Sequence, residues 1–413
     1  MLLYFRFSNY RSFYDESSFS MMAYSIKEHR CSLIDKNGLS ILPVSAFYGA
    51  NASGKSSFFM AFQRMRNDVV DKFMAKESQR SSHLPFSQPF LFDDESIKEP
   101  TKYEVSILIN EYAYRYGFSC THSSILTEYL YKKKFSKNET KEKMIFERNG
   151  NSFKTGTINK ALKSEIDYCA SMATDKILLL TDIGLRNKEK ELGCIFKWFL
   201  GVDIISNITQ KYMSTNEYCE EFIGDMLADE SFENSYKKEY KELICEIDPG
   251  IIDVTFEKKT DSEGTVTNLA RTIHRFGNNK KTVSINIESD GTKKWMFLSI
   301  ILILALKEGR PCFIDELDSQ LHPLILRKIV KMFTNKETNP NGAQLVFSAH
   351  NIINLDSSDL RRDEIWFVEK VNHKSKMYSL VDFDDGGIRS DLNYGKHYLS
   401  GRFGSVPYSI SNK

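Results

Sequence analysis

The chain has 413 residues, 41% of them hydrophobic and 27% charged, with a formal net charge of +1. That length buries a sizeable core across two or three domain-sized pieces, and the even balance excludes a global field that would gather DNA or an acidic membrane. Seven scattered cysteines, never in a CxxC pair, argue against a structural zinc site and for reduced thiols in a cytoplasmic protein.

Residues 2–7 alternate like a strand and lack the basic region and cleavage site of a signal peptide. Residues 41–48 read as a second strand, with Pro43 near its beginning. They lead into Gly49-Ala50-Asn51-Ala52-Ser53-Gly54-Lys55-Ser56, a match to GxxxxGK[ST]. In such a loop the backbone N–H groups turn around phosphate oxygens, and the following helix points its positive end at them. Lys55 would hold the β- and γ-phosphates and Ser56 would ligate Mg²⁺, with Gly49, Asn51, Ser53, Gly54 and Ser57 completing the nucleotide cradle.

The helix opened by Lys55 is predicted to run to about Lys76. Strand-like segments follow at 103–109, 112–119 and 126–133, and the pattern from 159 to 248 is helical. Strands return at 251–258 and 265–274, joined by a hairpin turn at Asp261-Ser262-Glu263-Gly264. The apolar run Trp295–Leu306 is far shorter than the ~20 residues of a membrane span, so it reads as a core helix.

That helix is preceded by Glu288-Ser289-Asp290-Gly291-Thr292. Ser289 and Gly291 offer a hydroxyl, backbone amides and a helix N-terminus to an anion. The chain's own phosphates belong to the Gly49 loop, so the economical recipient is a nucleotide held by a second subunit in a two-fold dimer.

The strand Cys312-Phe313-Ile314 ends in Asp315-Glu316. Two acids at the end of a buried strand call for a cation; Asp315 is the candidate Mg²⁺ ligand and Glu316 the general base for an attacking water. A helix near 324–333 leads to the strand 344–348, and just beyond it stands His350, a candidate γ-phosphate sensor. An exposed linker is expected at 354–363, then a strand at 365–369. The alternation marks a parallel α/β sheet with helices on its faces.

On these four segments the chain resembles the ABC-type ATPases of the RecF, SMC and OLD class. Its likeness is greatest to the small AAA-family ATPases of bacterial abortive phage resistance, the RloA-like and PtuA-like proteins. Asn9-Tyr10-Arg11-Ser12-Phe13, Leu317-Asp318-Ser319-Gln320-Leu321-His322-Pro323, the stretch 360–369 and Tyr398-Leu399-Ser400-Gly401-Arg402-Phe403-Gly404 add to it. The resemblance implies an α/β fold: an ABC-type P-loop ATPase head with a mixed or parallel sheet, flanking helices and an antiparallel β subdomain, plus a helical insertion. Residues 1–158 would form the N-terminal lobe, 159–248 the insertion and 249–413 the C-terminal lobe.

The same resemblance implies ATP and Mg²⁺ as cofactors, ATP hydrolysis, and a homodimer or higher homo-oligomer through ATP-sandwiched heads. It also implies an effector protein in trans, a nuclease of Toprim or HNH type, since too little chain follows His350 for the Toprim domain of OLD relatives. Arg11 matches the basic residue that approaches the phosphates, and Asp318 the D-loop acid that crosses the dimer interface. Gln88 in Phe86-Ser87-Gln88-Pro89-Phe90 is the Q-loop candidate. A RecF-like DNA-maintenance ATPase, with Lys132-Lys133-Lys134 and Lys280-Lys281 as basic patches, and a nucleotide-gated scaffold stay open as alternatives. No membrane partner is expected.

Overall fold

The computed structural model describes residues 1–74, 87–134, 141–186, 191–206, 216–260, 262–383 and 393–406. Its centre is a six-stranded sheet in the order Asp203–Ile205, Pro311–Ile314, Gln344–Ser348, Val44–Tyr48, Ile365–Val371 and Lys374–Ser379. The first five strands run parallel and the last is antiparallel to its neighbour. Helices cover both faces, which is why the central strands are continuous apolar runs rather than alternating ones.

Successive side chains of a strand point to opposite faces, and here they feed two cores. Phe47, Phe313, Val346, Trp366 and Val368 enter one; Val44, Ala46, Tyr48, Cys312, Ile314, Leu345, Phe347, Ile365 and Phe367 enter the other. The first core lies under the helix Lys55–Met74, where Phe62 stacks on Phe313 with ring centroids 4.0 Å apart and Phe58 on Phe47 at 4.4 Å. A seven-stranded antiparallel sheet, built from Leu2–Ser8, Ser17–Ser20 and five strands between Thr101 and Thr155, closes that core.

The second core is centred on the helix Asp290–Glu308, whose buried Trp295 donates its indole N–H to the carbonyl of Leu243 at 2.9 Å. The helix Pro323–Thr334 and a three-stranded sheet (Ile251–Thr260, Val266–Phe276, Asn279–Ser284) complete this side. No helix among the described residues is long and apolar enough to cross a membrane. All seven cysteines are free.

The α/β class and the antiparallel subdomain agree with the sequence reading; several local expectations do not. The segment 159–248 is not wholly helical, because Asp203–Ile205 adds an edge strand to the central sheet beside the Asp-Glu strand. The segment 354–363 is not an exposed linker: Leu355, Leu360, Arg361 and Asp363 are buried. Arg361 grips Asp363 through two hydrogen bonds of 2.8 and 2.7 Å and also bonds the carbonyls of Tyr24 and Glu28, so the ion pair carries the segment inside. The 41–48 strand is interrupted before Pro43, with Leu39–Ile41 pairing separately in a small hairpin. The hairpin expected at 261–264 is closed by the Thr260–Val266 pair, Asp261 itself lying outside the described residues. The end of the Lys55 helix expected at 75–76 also lies outside them.

Candidate nucleotide site

The Gly49–Ser56 loop joins the end of the strand Val44–Tyr48 to the helix Lys55–Met74, at the carboxyl edge of the parallel sheet. Two glycines make the turn. Gly49 (φ 151°) lies so close to the Val368 carbonyl that a Cβ has no room, and at Gly54 (φ 119°) a Cβ would stand 2.9 Å from Cβ of Ser375. Ala52 also adopts a positive φ of 62°. The first amides of any helix lack an intrahelical carbonyl, and here they belong to Lys55, Ser56 and Ser57. They face the loop with the positive helix end behind them.

Lys55 is buried and folds back on its own loop, donating to the carbonyls of Gly49 at 2.6 Å and Ala50 at 3.3 Å. Burial lowers its pKa, opposed by the charges of Asp315, Glu316 and Asp318. Those three acids therefore converge on the lysine. The buried Ser53 hydroxyl has no hydrogen-bond partner. An unpaired hydroxyl, a lysine bonded only to loop carbonyls and exposed amide donors together form a cradle that fits a phosphate chain.

Asp315 and Glu316 follow the buried strand Pro311–Ile314. Burial raises the Asp315 pKa, while hydrogen bonds from Ser348 and Ser56 pull it down. The Ser348 hydroxyl donates to Oδ1 of Asp315 at 2.6 Å and accepts the Glu316 amide at 2.7 Å. Glu316 has the left-handed φ of 51°, a strained setting for a non-glycine residue. Its Oε1 lies 3.9 Å from Nε2 of His350, with both side chains partly open to solvent. The Ser56 hydroxyl and the Asp315 carboxylate, bonded to each other, are the hard-oxygen donors that suit Mg²⁺, an ion that keeps several waters and takes few protein ligands. Among the described residues no group of three or more His, Cys, Asp or Glu side chains is arranged to hold a metal alone.

A cavity of about 550 Å³ opens beside the loop, lined by Gly49–Ser53, His350, Lys370, Tyr398 and Ser405 among others. The segment after Tyr398 secures the loop from outside: the Ala50 amide donates to the Ser405 carbonyl at 2.8 Å, and the Gly49 amide bonds the Tyr398 hydroxyl. Ser375 braces it from the other side, its hydroxyl donating to the Ser53 carbonyl at 2.6 Å and paired with the Ser12 hydroxyl at 2.8 Å.

The other sequence candidates are held by partners of their own. Ser289 caps the helix Asp290–Glu308, accepting the Thr292 amide at 3.1 Å, and neither it nor Gly291 lines the cavity of its own loop. Asp318 accepts the amides of His350 at 2.8 Å and Asn351 at 2.6 Å, an intrachain brace beneath the histidine. Arg11 turns its guanidinium to the Met60 sulfur on the helix Lys55–Met74, and its amide bonds the Gln88 carbonyl at 2.7 Å. Gln88 Oε1 is buried without a hydrogen-bond partner. Lys132 is paired with Glu191 and lies over the Tyr112 ring, so it is not a bare basic patch.

Ser348, Ser375 and Lys294 also belong to the site, though no sequence motif assigns them a role. Lys294, buried in the helix Asp290–Glu308, donates to the Ser319 carbonyl at 2.7 Å, the Ser319 hydroxyl at 2.6 Å and the Glu316 carbonyl at 3.2 Å. A lysine heading an otherwise apolar run was the signal available for it.

The family described as "AAA domain, putative AbiEii toxin, Type IV TA system" matches residues 44–158 and 212–356, more than half of the chain and inclusive of both the phosphate loop and the Asp-Glu strand. The chain belongs to this AAA-domain family. Its phosphate-loop strand and its Asp-Glu strand lie in one mixed sheet, beside an antiparallel subdomain. No curated protein matches this AAA-domain chain in sequence. Among solved structures it is similar to the SMC head domain from Thermotoga maritima, at 12% identity over 92% of this chain and 98% of that one, with a TM-score of 0.38. It is also similar to the Smc head domain with a coiled coil and joint derived from Pyrococcus yayanosii, at 10% identity over 97% and 99%, with a TM-score of 0.36.

Proposed function

We propose that this AAA-domain protein binds and hydrolyses ATP with Mg²⁺, dimerises around the nucleotide, and serves as the sensor subunit of an anti-phage system controlling an effector such as a nuclease in trans. The observation that carries the enzymatic part is that the phosphate loop, with Lys55 buried against its carbonyls, meets the Asp-Glu strand through the Ser56–Asp315 hydrogen bond. Lys55 exchanges its loop carbonyls for phosphate oxygens. The amides of Gly54 to Ser57 and the Ser53 hydroxyl bind the chain of phosphates; Ser56 and Asp315 would hold the magnesium ion, which would supply charge neutralisation at the phosphoryl group. Glu316 takes the proton of the attacking water, and His350, whose Nε2 lies 3.9 Å from Oε1 of Glu316, stands beside it.

Dimerisation is supported by the helix N-terminus at Ser289, which does not line the cavity beside its own loop and is left for the nucleotide of a second protomer. The defence role rests on the AbiEii description of the family.

Mass measurement of the purified protein with and without ATP–Mg²⁺ tests the dimer. Glu316→Gln is expected to assemble with ATP and to turn over none; adding Ser289→Arg is expected to abolish assembly. Assembly indifferent to both ATP and Ser289 would sink the dimer reading. Phage plating on cells carrying the gene with its chromosomal neighbours tests the defence role, and equal plating on a Lys55→Ala strain would sink it.

A further inference from the structure

The segment after Glu316 is a tight turn bracketed by two left-handed non-glycine residues, Glu316 at φ 51° and Gln320 at φ 61°. Each such residue costs roughly 1–2 kcal/mol and persists only where its surroundings hold it. One side of the turn is held by the neighbouring strand and the loop after it: the Glu316 amide on the Ser348 hydroxyl, the Leu317 amide on the Ser348 carbonyl at 3.0 Å, and Asp318 beneath His350 and Asn351. The opposite side meets the first turns of the helix Asp290–Glu308. There a Cβ on Gly291 would come within 2.8 Å of the Gln320 carbonyl, and the Lys294 ammonium reaches two backbone carbonyls and one hydroxyl of the turn.

We infer that Lys294 is a positioning residue that ties the first turns of the helix Asp290–Glu308 to the turn carrying Glu316, and so sets the orientation of the same chain's general base. An ammonium has three N–H donors, and the three oxygens at 2.6, 2.7 and 3.2 Å match them. Burying the charge is unfavourable and lowers the lysine's pKa to about 8, with Asp318 and Glu316 acting in the other direction. A solvated lysine would serve if only the helix surface mattered; a buried one is retained where its oxygens need holding. Ser289 stands five residues from Lys294, about 7–8 Å along the helix axis, so a shift of the helix end moves the tether rigidly. The consequence for hydrolysis rests on the ATPase reading above; the tether itself does not.

Lys294→Met in the full-length protein keeps the stem and removes the donors. Steady-state ATP hydrolysis is expected to show kcat lower by at least about tenfold with KM within about twofold, the pattern of a lost transition-state arrangement rather than lost ground-state binding. Native-state amide exchange, measured without nucleotide, is expected to quicken at least about tenfold in 316–322 while the helix 55–74 keeps its protection. Ser319→Ala, which deletes one of the three acceptors, is expected to give an intermediate change in both and serves if Lys294→Met does not fold. Unaltered exchange in 316–322, exchange quickened evenly along the chain, or a rise in KM matching the fall in kcat each overturns the inference. Wild-type protein inert toward ATP would remove the hydrolytic reading and leave the exchange measurement to decide the tether.

Discussion

Ser348→Ala tests the geometry of the site without touching nucleotide. The hydroxyl is fully buried and bridges Asp315 Oδ1 at 2.6 Å and the Glu316 amide at 2.7 Å. A hydrogen bond to a charged acceptor contributes ~1.5–3 kcal/mol, and a buried amide left without an acceptor costs ~1–3 kcal/mol. The two do not add in full, since Asp315 escapes part of its loss by taking a proton. A destabilisation of about 3 kcal/mol at neutral pH is the expected sum. In urea, with a slope of about 3 kcal/mol per molar, that lowers the midpoint by about 1 M. Burial already raises the Asp315 pKa and Ser348 opposes it, so removing Ser348 raises it further. The loss should therefore shrink as the pH falls through the raised pKa of the folded chain, already above the ordinary carboxylate range. A midpoint unmoved within about 0.2 M at pH 7 would refute the bridge.

Glu364 is fully buried beside Asp363, with its pKa pushed up to about 8, chiefly by burial. Its folded pKa lies above its unfolded one, so ionisation of the unfolded chain drains stability as pH rises from about 5 towards 8, by up to about 1.4 kcal/mol per unit. Glu364→Gln should flatten that slope in thermal melts taken across the window; an unchanged slope refutes the assignment. Gly54→Ala forces a Cβ to 2.9 Å from Ser375 Cβ at a φ of 119°, and should abolish binding of a fluorescent ATP analogue while the melting temperature falls. Retained binding would show that the loop has room.

The nucleotide loop and the Asp-Glu strand were legible because their chemistry is local: glycines where the backbone must turn, and acids where an apolar strand stops. The same locality made the core helix readable from Trp295–Leu306. What sequence did not disclose depends on register between distant segments. Ser348 matters only because its strand lies beside the Asp-Glu strand, and Lys294 only because its helix end meets the 316–320 turn. Asp203–Ile205 is too short to stand out as a strand until an edge of the central sheet is open to it. The stretch 354–363 reads as polar and exposed because its charges are visible in the sequence while the Arg361–Asp363 pairing that buries them is not. Arg11 shows the same limit, as its backbone position is near the loop but its side chain goes to Met60.

The order of strands in the central sheet has a consequence for how the chain comes into being. Val44–Tyr48, wholly apolar apart from Ser45, is flanked by Gln344–Ser348 and Ile365–Val371, and even Leu2 is bonded to the Gln344 amide side chain. During synthesis at ~5–20 residues per second the strand that bears the nucleotide loop therefore waits roughly a quarter of a minute to a minute before either neighbour emerges. Throughout that interval it is an unpaired β-segment open to aggregation, while the antiparallel sheet of residues 2–155 already has its own strands to pair. The ATP cradle is thus among the last parts to form, and yields of soluble protein should respond more to chaperone supply and growth temperature than to the stability of the finished fold.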